Sequence, residues 1–206
     1  MIRVKVCGIT RLEDALAAAG YGADALGFVF YKESPRFIAP EDAAQIVKKI
    51  PPFITPVALF VNEEEVKAKA ILQSTGISVI QFHGDETPAH VSSFSQRTIK
   101  AIRIENEASL NAVHDYDVNA FLLDAYSPDL YGGTGATFDW DLLKEINFSE
   151  RIILAGGLNP DNVADAVEKV TPYGVDVSSG IEISPGIKDH QKMKTFIEIA
   201  KNVGYL

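Results

Sequence analysis

Short runs of β-forming residues recur eight times along the chain, at intervals of about 25 residues, and helical stretches separate them. The runs are nearly continuous in Val, Ile, Leu and Phe, which is typical of parallel strands buried on both faces. Eight strand–helix units predict an α/β protein with a single (β/α)8 TIM barrel domain over residues 1–206. The predicted strands are Val4–Cys7, Ala25–Phe30, Pro56–Val61, Val79–His83, Thr98–Ile104, Ala120–Asp124, Ile152–Ala155 and Val175–Val177.

Capping residues and prolines predict where the helices begin. Thr10 precedes the helical stretch Leu12–Ala19 and is followed three residues later by Glu13, which is the spacing of a capping box. Pro40 stands where proline is favoured in a first helical turn. Further helix starts are indicated at Asn62, Thr87-Pro88, Asn159-Pro160-Asp161 and Asp189-His190, and the weakest helix lies around Trp140–Ile146.

An open doubly wound sheet is the main alternative fold for the same alternation of strands and helices. Such a sheet usually carries a glycine-rich fingerprint after its first strand, and Cys7-Gly8-Ile9-Thr10 does not supply one. No linker and no shift in composition indicates a second domain. We therefore expect one barrel.

Composition argues against several classes of protein. The net charge of −9 disfavours broad nucleic-acid binding, which needs a basic surface. The single cysteine cannot form an internal disulfide, and no apolar run approaches the roughly 20 residues of a membrane span. No set of His, Cys and carboxylate residues has the spacing of a metal site. We expect a cytoplasmic monomer or homodimer without metal, nucleic-acid or membrane partners.

The only cysteine, Cys7, ends the first strand directly before Gly8. The carboxyl ends of the strands form the active-site face of such a barrel, so this thiol is a candidate base or nucleophile. The alternative is a small buried hydrophobic residue, which is common for free cysteine. A catalytic role needs the thiolate, so we expect the pKa of Cys7 to fall with help from Arg36 or from the amides of the phosphate-binding loops.

Other polar side chains follow other strands. Asp124 emerges from a buried strand and is a candidate general acid, although a helix cap or a loop ion pair is an alternative. Arg36 lies in a Ser-Pro-Arg turn and suits a bidentate carboxylate clamp, or else it is a solvated arginine. His83 ends the fourth strand and has the alternative of simply bonding a loop carbonyl. These side chains gather acid, imidazole and cation at one face.

Glycines and serines follow the last two strands. Gly156 and Gly157 come after strand seven, and Ser178, Ser179 and Gly180 come after strand eight. Barrels often bind phosphate at these two loops, where glycine lets backbone N–H groups approach the anion. Tight turns without a ligand are the alternative. The two adjacent loops together favour a phosphate site.

Nine motifs occur in one order along almost the whole chain, and together they resemble phosphoribosylanthranilate isomerase of tryptophan biosynthesis. One mild departure is Ala136, where we expect a basic or polar residue in many relatives. The matching stretches are Lys5–Thr10, Gly22–Phe30, Ser34–Ile38, Gln81–Glu86, Leu122–Asp124, Gly132–Gly135, Phe138–Trp140, Leu154–Pro160 and Gly174–Glu182.

The resemblance implies an Amadori rearrangement of N-(5-phosphoribosyl)anthranilate to 1-(2-carboxyphenylamino)-1-deoxyribulose 5-phosphate. Asp124 would be the general acid that opens the furanose ring, and Cys7 the general base that removes the proton from C2. The substrate nitrogen supplies the electron sink, so no cofactor is implied. Roles in binding this small phosphosugar are also implied: Arg36 for the anthranilate carboxylate, His83 and Asp176 for the rest of the substrate, and Gly156, Gly157, Ser178, Ser179 and Gly180 for the phosphate.

Three other functions are weighed against this one. The sugar isomerase of the histidine pathway runs an Amadori reaction on a similar barrel, but an Asp is expected where Cys7 stands. Indole-glycerol-phosphate synthase needs a lysine general acid in a Lys/Ser/Pro-rich pocket, and no matching motif is present. A non-catalytic phosphate-binding barrel would bind a phosphosugar without turnover, and retention of Cys7 and Asp124 argues only weakly against it.

Overall fold

Eight parallel strands close into a barrel in chain order in the computed structural model, which describes residues 1–125, 140–143 and 151–203. Each strand pairs with the next, and β8 pairs back onto β1. The predicted closed barrel and all eight strand positions are confirmed. The strands are β1 (Arg3–Cys7), β2 (Ala25–Val29), β3 (Thr55–Phe60), β4 (Val79–Phe82), β5 (Arg97–Ile104), β6 (Ala120–Ala125), β7 (Ile152–Leu154) and β8 (Gly174–Val177).

Six α-helices and three 3₁₀ helices lie among the described residues. Their buried residues share one core cluster with outward-facing strand residues such as Val6 and Phe28. A 3₁₀ helix at Glu107–Asp115 takes the place of the expected fifth α-helix, and Trp140–Leu143 is also 3₁₀, while residues 144–146 fall outside the described part. The α-helices are α1 (Leu12–Tyr21), α2 (Pro40–Val47), α3 (Glu65–Thr75), α4 (Pro88–Ser92), α5 (Val163–Val170) and α6 (His190–Asn202), and the third 3₁₀ helix is Ser179–Ile181.

Three predicted helix starts are confirmed. Pro40 is the first residue of α2. Thr87 caps α4 by accepting a hydrogen bond from the backbone N–H of His90 at 3.2 Å. Asp189 caps α6 by accepting bonds from two backbone N–H groups, each at 3.0 Å. Side-chain caps therefore mark the starts of α4 and α6, and proline in the first turn marks that of α2.

One predicted cap and two other predicted helix starts are wrong. α1 begins at Leu12 as expected, but Thr10 does not cap it, because its hydroxyl donates instead to the carbonyl of Gly186. Asn62 lies before α3 with a positive φ of 52°, and its side chain accepts from the backbone N–H of Asp85. The segment from Asn159 forms a turn before α5 begins. In each case a distant or local backbone partner competes for the expected capping side chain.

A two-stranded antiparallel hairpin follows β8 and was not expected from the sequence. It consists of β9 (Glu182–Ser184) and β10 (Ile187–Lys188). Both strands are too short to give a clear apolar pattern. The hairpin returns the chain to the carboxyl end of the barrel before α6.

The interior of the barrel is apolar over much of its length and polar near the carboxyl end. Successive side chains of a strand point to opposite faces, so Lys5 and Cys7 share the inner face of β1, and Gln81 and His83 share that of β4. The apolar part consists of Val57, Val79, Ile99, Ala101, Ala120, Leu122, Ile153 and Ala155. No helix among the described residues has the length and apolar character to cross a membrane.

Candidate active site

A cavity of about 250 Å³ opens at the carboxyl end of the barrel. A larger cavity of about 530 Å³ lies at the other end, lined by strand starts, and contains none of the predicted site residues. Function in this fold resides at the carboxyl ends of the strands, so the smaller cavity is the candidate site. It brings together nine of the ten predicted residues: Cys7, Arg36, His83, Asp124, Gly156, Gly157, Asp176, Ser178 and Ser179.

Cys7 is buried at the tip of β1, beside an apolar wall formed by Val29, Leu59 and Val61. Burial raises the pKa of the thiol above its ordinary value, although the nearby cations Lys5 and Lys188 act in the opposite direction. The expectation that the pKa of Cys7 falls is therefore wrong for this structure, because loss of hydration and the nearby Asp176 carboxylate outweigh the two positive charges. The cations beside the thiol are these two lysines and not the predicted Arg36.

Lys5 and Asp176 form a buried ion pair in the barrel interior. The Nζ of Lys5 lies 2.8 Å from Oδ1 of Asp176, and both side chains are at most 8% exposed. Burial lowers the pKa of Lys5, but Asp176 and Cys7 outweigh burial, so the net shift is upward and the lysine is charged. Lys5 was missed from the sequence, although its position two residues before Cys7 signals a shared inner face.

Gly27 leaves room for the thiol. A Cβ atom at this position of β2 would lie 2.7 Å from Sγ of Cys7 and 3.2 Å from Cε of Lys5. The absent side chain is thus what allows both groups to lie side by side over the neighbouring strand.

Asp124 is buried at the end of β6 and takes part in a chain of hydrogen bonds across the cavity floor. Its Oδ2 lies 3.1 Å from Nε2 of His83, and Nδ1 of His83 lies 2.8 Å from Nε2 of Gln81. Its Oδ1 accepts from the backbone N–H of Ala125 at 2.9 Å. His83 therefore bonds a carboxylate rather than a loop carbonyl. Gln81 was missed from the sequence, although it precedes His83 by two residues.

Arg36 is held by a carboxylate that the sequence analysis did not find. Its Nε lies 3.0 Å and its Nη2 2.8 Å from the two oxygens of Glu182 on β9. Glu182 therefore occupies the Nε/Nη2 edge of the guanidinium and leaves Nη1 out of this pair. The stem of Arg36 crosses Gly8, where a Cβ would lie 2.6 Å from Cδ of Arg36 and φ is +74°.

Glu182 joins Arg36 to a second cation. Lys188 on β10 is fully buried, and its Nζ lies 2.7 Å from Oε1 of Glu182. Burial would raise the pKa of Glu182, but Arg36 and Lys188 outweigh burial and lower it, so Glu182 is a carboxylate. Because Lys188 also lies near Cys7, this network connects the edge of the cavity to the thiol.

The two predicted phosphate loops lie side by side. Gly156 and Gly157 have positive φ angles of 81° and 63°, which favour glycine. A Cβ at Gly156 would lie 3.0 Å from Oδ1 of Asp124, so this glycine also makes space for the acid. The hydroxyl of Ser178 donates to the carbonyl of Cys7 at 3.1 Å.

Gly180 is the one predicted site residue that the structure does not bring to the cavity lining. A Cβ at Gly180 would lie 2.0 Å from the carbonyl oxygen of Leu158, in the loop after β7. Its lack of a side chain therefore lets the two loops pack together, which is a different reason for glycine from contact with phosphate.

The glycine loop Gly132–Gly135 and the departure at Ala136 lie outside the described residues. Among the described residues, no group of three or more His, Cys, Asp or Glu side chains is placed to hold a metal ion.

Comparison with known proteins identifies close relatives of the whole chain. Residues 4–199 match the family model of N-(5'phosphoribosyl)anthranilate (PRA) isomerase. The chain is 52% identical to the N-(5'-phosphoribosyl)anthranilate isomerase of Citrifermentans bemidjiense, over 100% of both chains. Among solved structures, it is similar to phosphoribosyl anthranilate isomerase from Thermotoga maritima, with 43% identity and a TM-score of 0.93 over 98% of this chain and 100% of that one.

A second solved structure holds a ligand. It is a phosphoribosyl anthranilate isomerase in complex with reduced 1-(o-carboxyphenylamino)-1-deoxyribulose 5-phosphate. This structure is 41% identical to the chain, with a TM-score of 0.87 over 98% of this chain and 100% of that one.

Proposed function

The chain belongs to the N-(5'-phosphoribosyl)anthranilate isomerase family, the isomerases of tryptophan biosynthesis, and we propose that Asp124 and Cys7 perform its acid–base chemistry. The substrate is N-(5-phosphoribosyl)anthranilate, and the product is 1-(2-carboxyphenylamino)-1-deoxyribulose 5-phosphate. The observation that carries the proposal is that one cavity at the carboxyl end of the barrel contains both side chains. An acid and a base in a single small cavity can act on adjacent atoms of one substrate.

Asp124 acts first, as the general acid. It gives a proton to the furanose ring oxygen while the bond between that oxygen and C1 breaks. The lone pair of the anthranilate nitrogen forms a double bond to C1, so the ring opens to a protonated Schiff base. The position of Asp124 among His83, Gly156 and the backbone of Ala125 supports this role, because these contacts fix the carboxyl group in one orientation.

Cys7 acts second, as the general base. Its thiolate takes the proton from C2, and the two electrons of that C–H bond form a C1–C2 double bond while the C=N electrons return to nitrogen. The resulting enolamine gains a proton at C1 and loses one from the C2 hydroxyl, which gives the ketone. Lys5 and Lys188 support the role of base, because both stabilise the thiolate. These steps draw on no cofactor.

The two ends of the substrate are held by opposite parts of the cavity. Arg36 binds the anthranilate carboxylate through the guanidinium edge that Glu182 leaves open. Gly156, Gly157, Ser178 and Ser179 hold the phosphate, and Asp176 orients a sugar hydroxyl. Attachment at both ends fixes the reacting carbons between acid and base.

The proposal is tested by following the fluorescence of phosphoribosylanthranilate generated in situ. We expect the wild type to remove this fluorescence rapidly, and Asp124→Asn and Cys7→Ser to lose at least about a hundredfold in kcat while binding a product analogue with little change. Turnover by Cys7→Ser at the wild-type rate would remove Cys7 from the mechanism. No turnover by the wild type would instead favour a phosphosugar-binding barrel.

The cytoplasm is the proposed location. A free thiol that must ionise during the reaction is preserved in a reducing compartment. The excess of acidic residues, with a net charge of −9, supports a small-molecule partner rather than a nucleic acid.

A further inference from the structure

Gln81 is a buried polar residue that has no role in the proposed chemistry. Its side chain is fully buried in the barrel interior, and its amide nitrogen lies 2.8 Å from Nδ1 of His83. The carbonyl oxygen of the same amide is buried and has no hydrogen-bond partner among the described residues. An unmet buried acceptor destabilises a fold. A residue needed only for packing would be apolar here, so the amide requires another explanation.

The contact with Gln81 decides which nitrogen of His83 carries a proton. An amide nitrogen only donates hydrogen bonds, so Nδ1 of His83 must accept with its lone pair. In a neutral imidazole the proton then lies on Nε2. This N–H points at Oδ2 of Asp124, 3.1 Å away. Gln81 therefore donates a hydrogen bond to His83, and His83 donates one to Asp124.

We propose that Gln81 is a positioning residue that keeps His83 neutral, with its proton on Nε2 and directed at Asp124. The proposal rests on the assignment of Asp124 as the general acid. A second proton on His83 would place an N–H group against the amide N–H of Gln81, which is unfavourable. An imidazolium would also hold Asp124 as a carboxylate, whereas a general acid must carry a proton.

The same bond helps to fix the orientation of the Asp124 carboxyl group. His83 donates to Oδ2 and the backbone N–H of Ala125 donates to Oδ1, so the two bonds together hold the carboxyl group in one plane. Oδ1 lies next to Gly156, where a Cβ would be 3.0 Å away, and Gly156 lines the cavity. Gln81 thereby acts on the general acid through His83, without touching the substrate itself.

The test compares the full wild-type chain with Gln81→Glu and Gln81→Met. Two-bond ¹H–¹⁵N spectra report which ring nitrogens of His83 carry protons, and a His83→Asn spectrum assigns the signals. We expect the wild type to show a proton on Nε2 only. In Gln81→Glu the new carboxylate can accept a hydrogen bond from a protonated Nδ1, so we expect both nitrogens to carry protons at neutral pH. Gln81→Met removes the donor and keeps a similar volume.

Kinetics provide the second readout. We expect both Gln81 variants to lose about tenfold or more in kcat, with KM changed by less than about threefold, because the acid and not the binding of substrate is affected. The matched control is Gln73→Glu, the same change at an exposed position of α3, which we expect to leave kcat and the His83 spectrum unchanged.

Two results would overturn the proposal. A proton on Nδ1 in the wild type would mean that the amide is turned the other way, and this result does not depend on the folding of any variant. Wild-type kcat in both folded Gln81 variants would also reject it. If the wild type lacks isomerase activity, the proposed function fails, and the spectrum still decides whether Gln81 fixes the tautomer.

Discussion

Cys7 is subject to two opposing influences within one small space. Burial raises the pKa of its thiol, and the ammonium groups of Lys5 and Lys188 lower it, with burial the larger effect. The apolar wall beside Cys7 removes water from the thiol. This wall therefore opposes the ionisation that the proposed role of Cys7 requires.

The raised pKa of Cys7 predicts how activity depends on pH. Only the thiolate is a base, and a raised pKa means that the thiolate forms at higher pH than in an ordinary cysteine. We expect kcat/KM to increase as the pH rises above neutral. The ultraviolet absorbance of the thiolate, with Cys7→Ser as the blank, should increase over the same range. Thiolate that is fully formed below neutral pH would contradict this prediction.

Gly27→Ala is expected to move the thiol. The new Cβ would lie 2.7 Å from Sγ of Cys7, which is closer than real atoms approach. We expect a loss of about tenfold or more in kcat, since small misplacements of reacting groups are costly, and a loss of about 1–3 kcal/mol in stability.

Gly20→Ala is the control for this change. Gly20 lies in α1 with open space around its Cβ position, so the substitution should raise the free energy of unfolding by about 0.5–1 kcal/mol. Unchanged kcat in Gly27→Ala would show that the thiol is not confined as described.

Sequence patterns predict individual site residues unequally. Cys7 and Asp124 end apolar strands, so their place at the active-site face follows from the strand pattern alone. Lys5 precedes Cys7 by two residues, and Gln81 precedes His83 by two residues. The same pattern therefore places both on the inner face, because alternate side chains of a strand share a face. Glu182 does not follow, since its partner Arg36 is 146 residues away in the chain. Such pairings depend on the closed fold.

The β9–β10 hairpin is the element that holds Arg36 in the lining of the cavity. It carries Glu182 and Lys188, and the hydroxyl of Thr10 fastens it to the start of α1 through the carbonyl of Gly186. This bond explains why Thr10 does not cap α1. The short strands of the hairpin have no pattern of their own, so tertiary contacts decide its structure.

Glu182→Gln is expected to weaken substrate binding more than catalysis. The amide loses the charge that fixes Arg36, so the guanidinium becomes less well placed for the anthranilate carboxylate. We expect KM to rise about tenfold, with kcat changed by less than about threefold. Arg36→Ala should raise KM at least as much.

Two further variants make the Glu182 result decisive. Glu41→Gln, the same change at an exposed position of α2, should leave KM unchanged. Glu182→Gln/Lys188→Met removes the buried cation that the single change leaves without its carboxylate, so a defect in folding can be separated from one in binding. A wild-type KM in the folded double variant would mean that the hairpin does not position Arg36.

At the scale of the whole molecule, β1 and β8 form the seam that closes the barrel. Lys5 is opposite Asp176 in the register of this seam, and their ion pair joins the two strands through side chains as well as backbone. The number of strands predicted this closure, since eight strand–helix units suit a barrel. The sequence pattern does not predict the ion pair, because nothing in the pattern distinguishes Asp176 from the other polar residues near strand ends.

Removing one partner of the Lys5–Asp176 ion pair is expected to lower the free energy of unfolding. Lys5→Met leaves Asp176 buried without its cation, so we expect a loss of about 3–5 kcal/mol in the free energy of unfolding. Lys5→Met/Asp176→Leu should lose less than Lys5→Met alone, because no charge is then left buried. Urea unfolding measures both.

The surface pair Lys194–Glu198 is the control for the seam. Both of its side chains are about half exposed, so Lys194→Met should change stability little. Equal losses in the free energy of unfolding of Lys194→Met and Lys5→Met would contradict a stabilising role for the Lys5–Asp176 pair.

The seam also has a consequence for the order of events during synthesis. Cys7 and Lys5 are synthesised before Ser178 and Asp176, which contact them in the finished barrel, and 171 residues separate the members of each pair. Domains are made from the amino terminus onward, so the nascent polypeptide carries this thiol and this lysine without their partners while the intervening residues are synthesised. Cys7 and Lys5 thus gain these contacts only after the last strand of the barrel, β8, has been made.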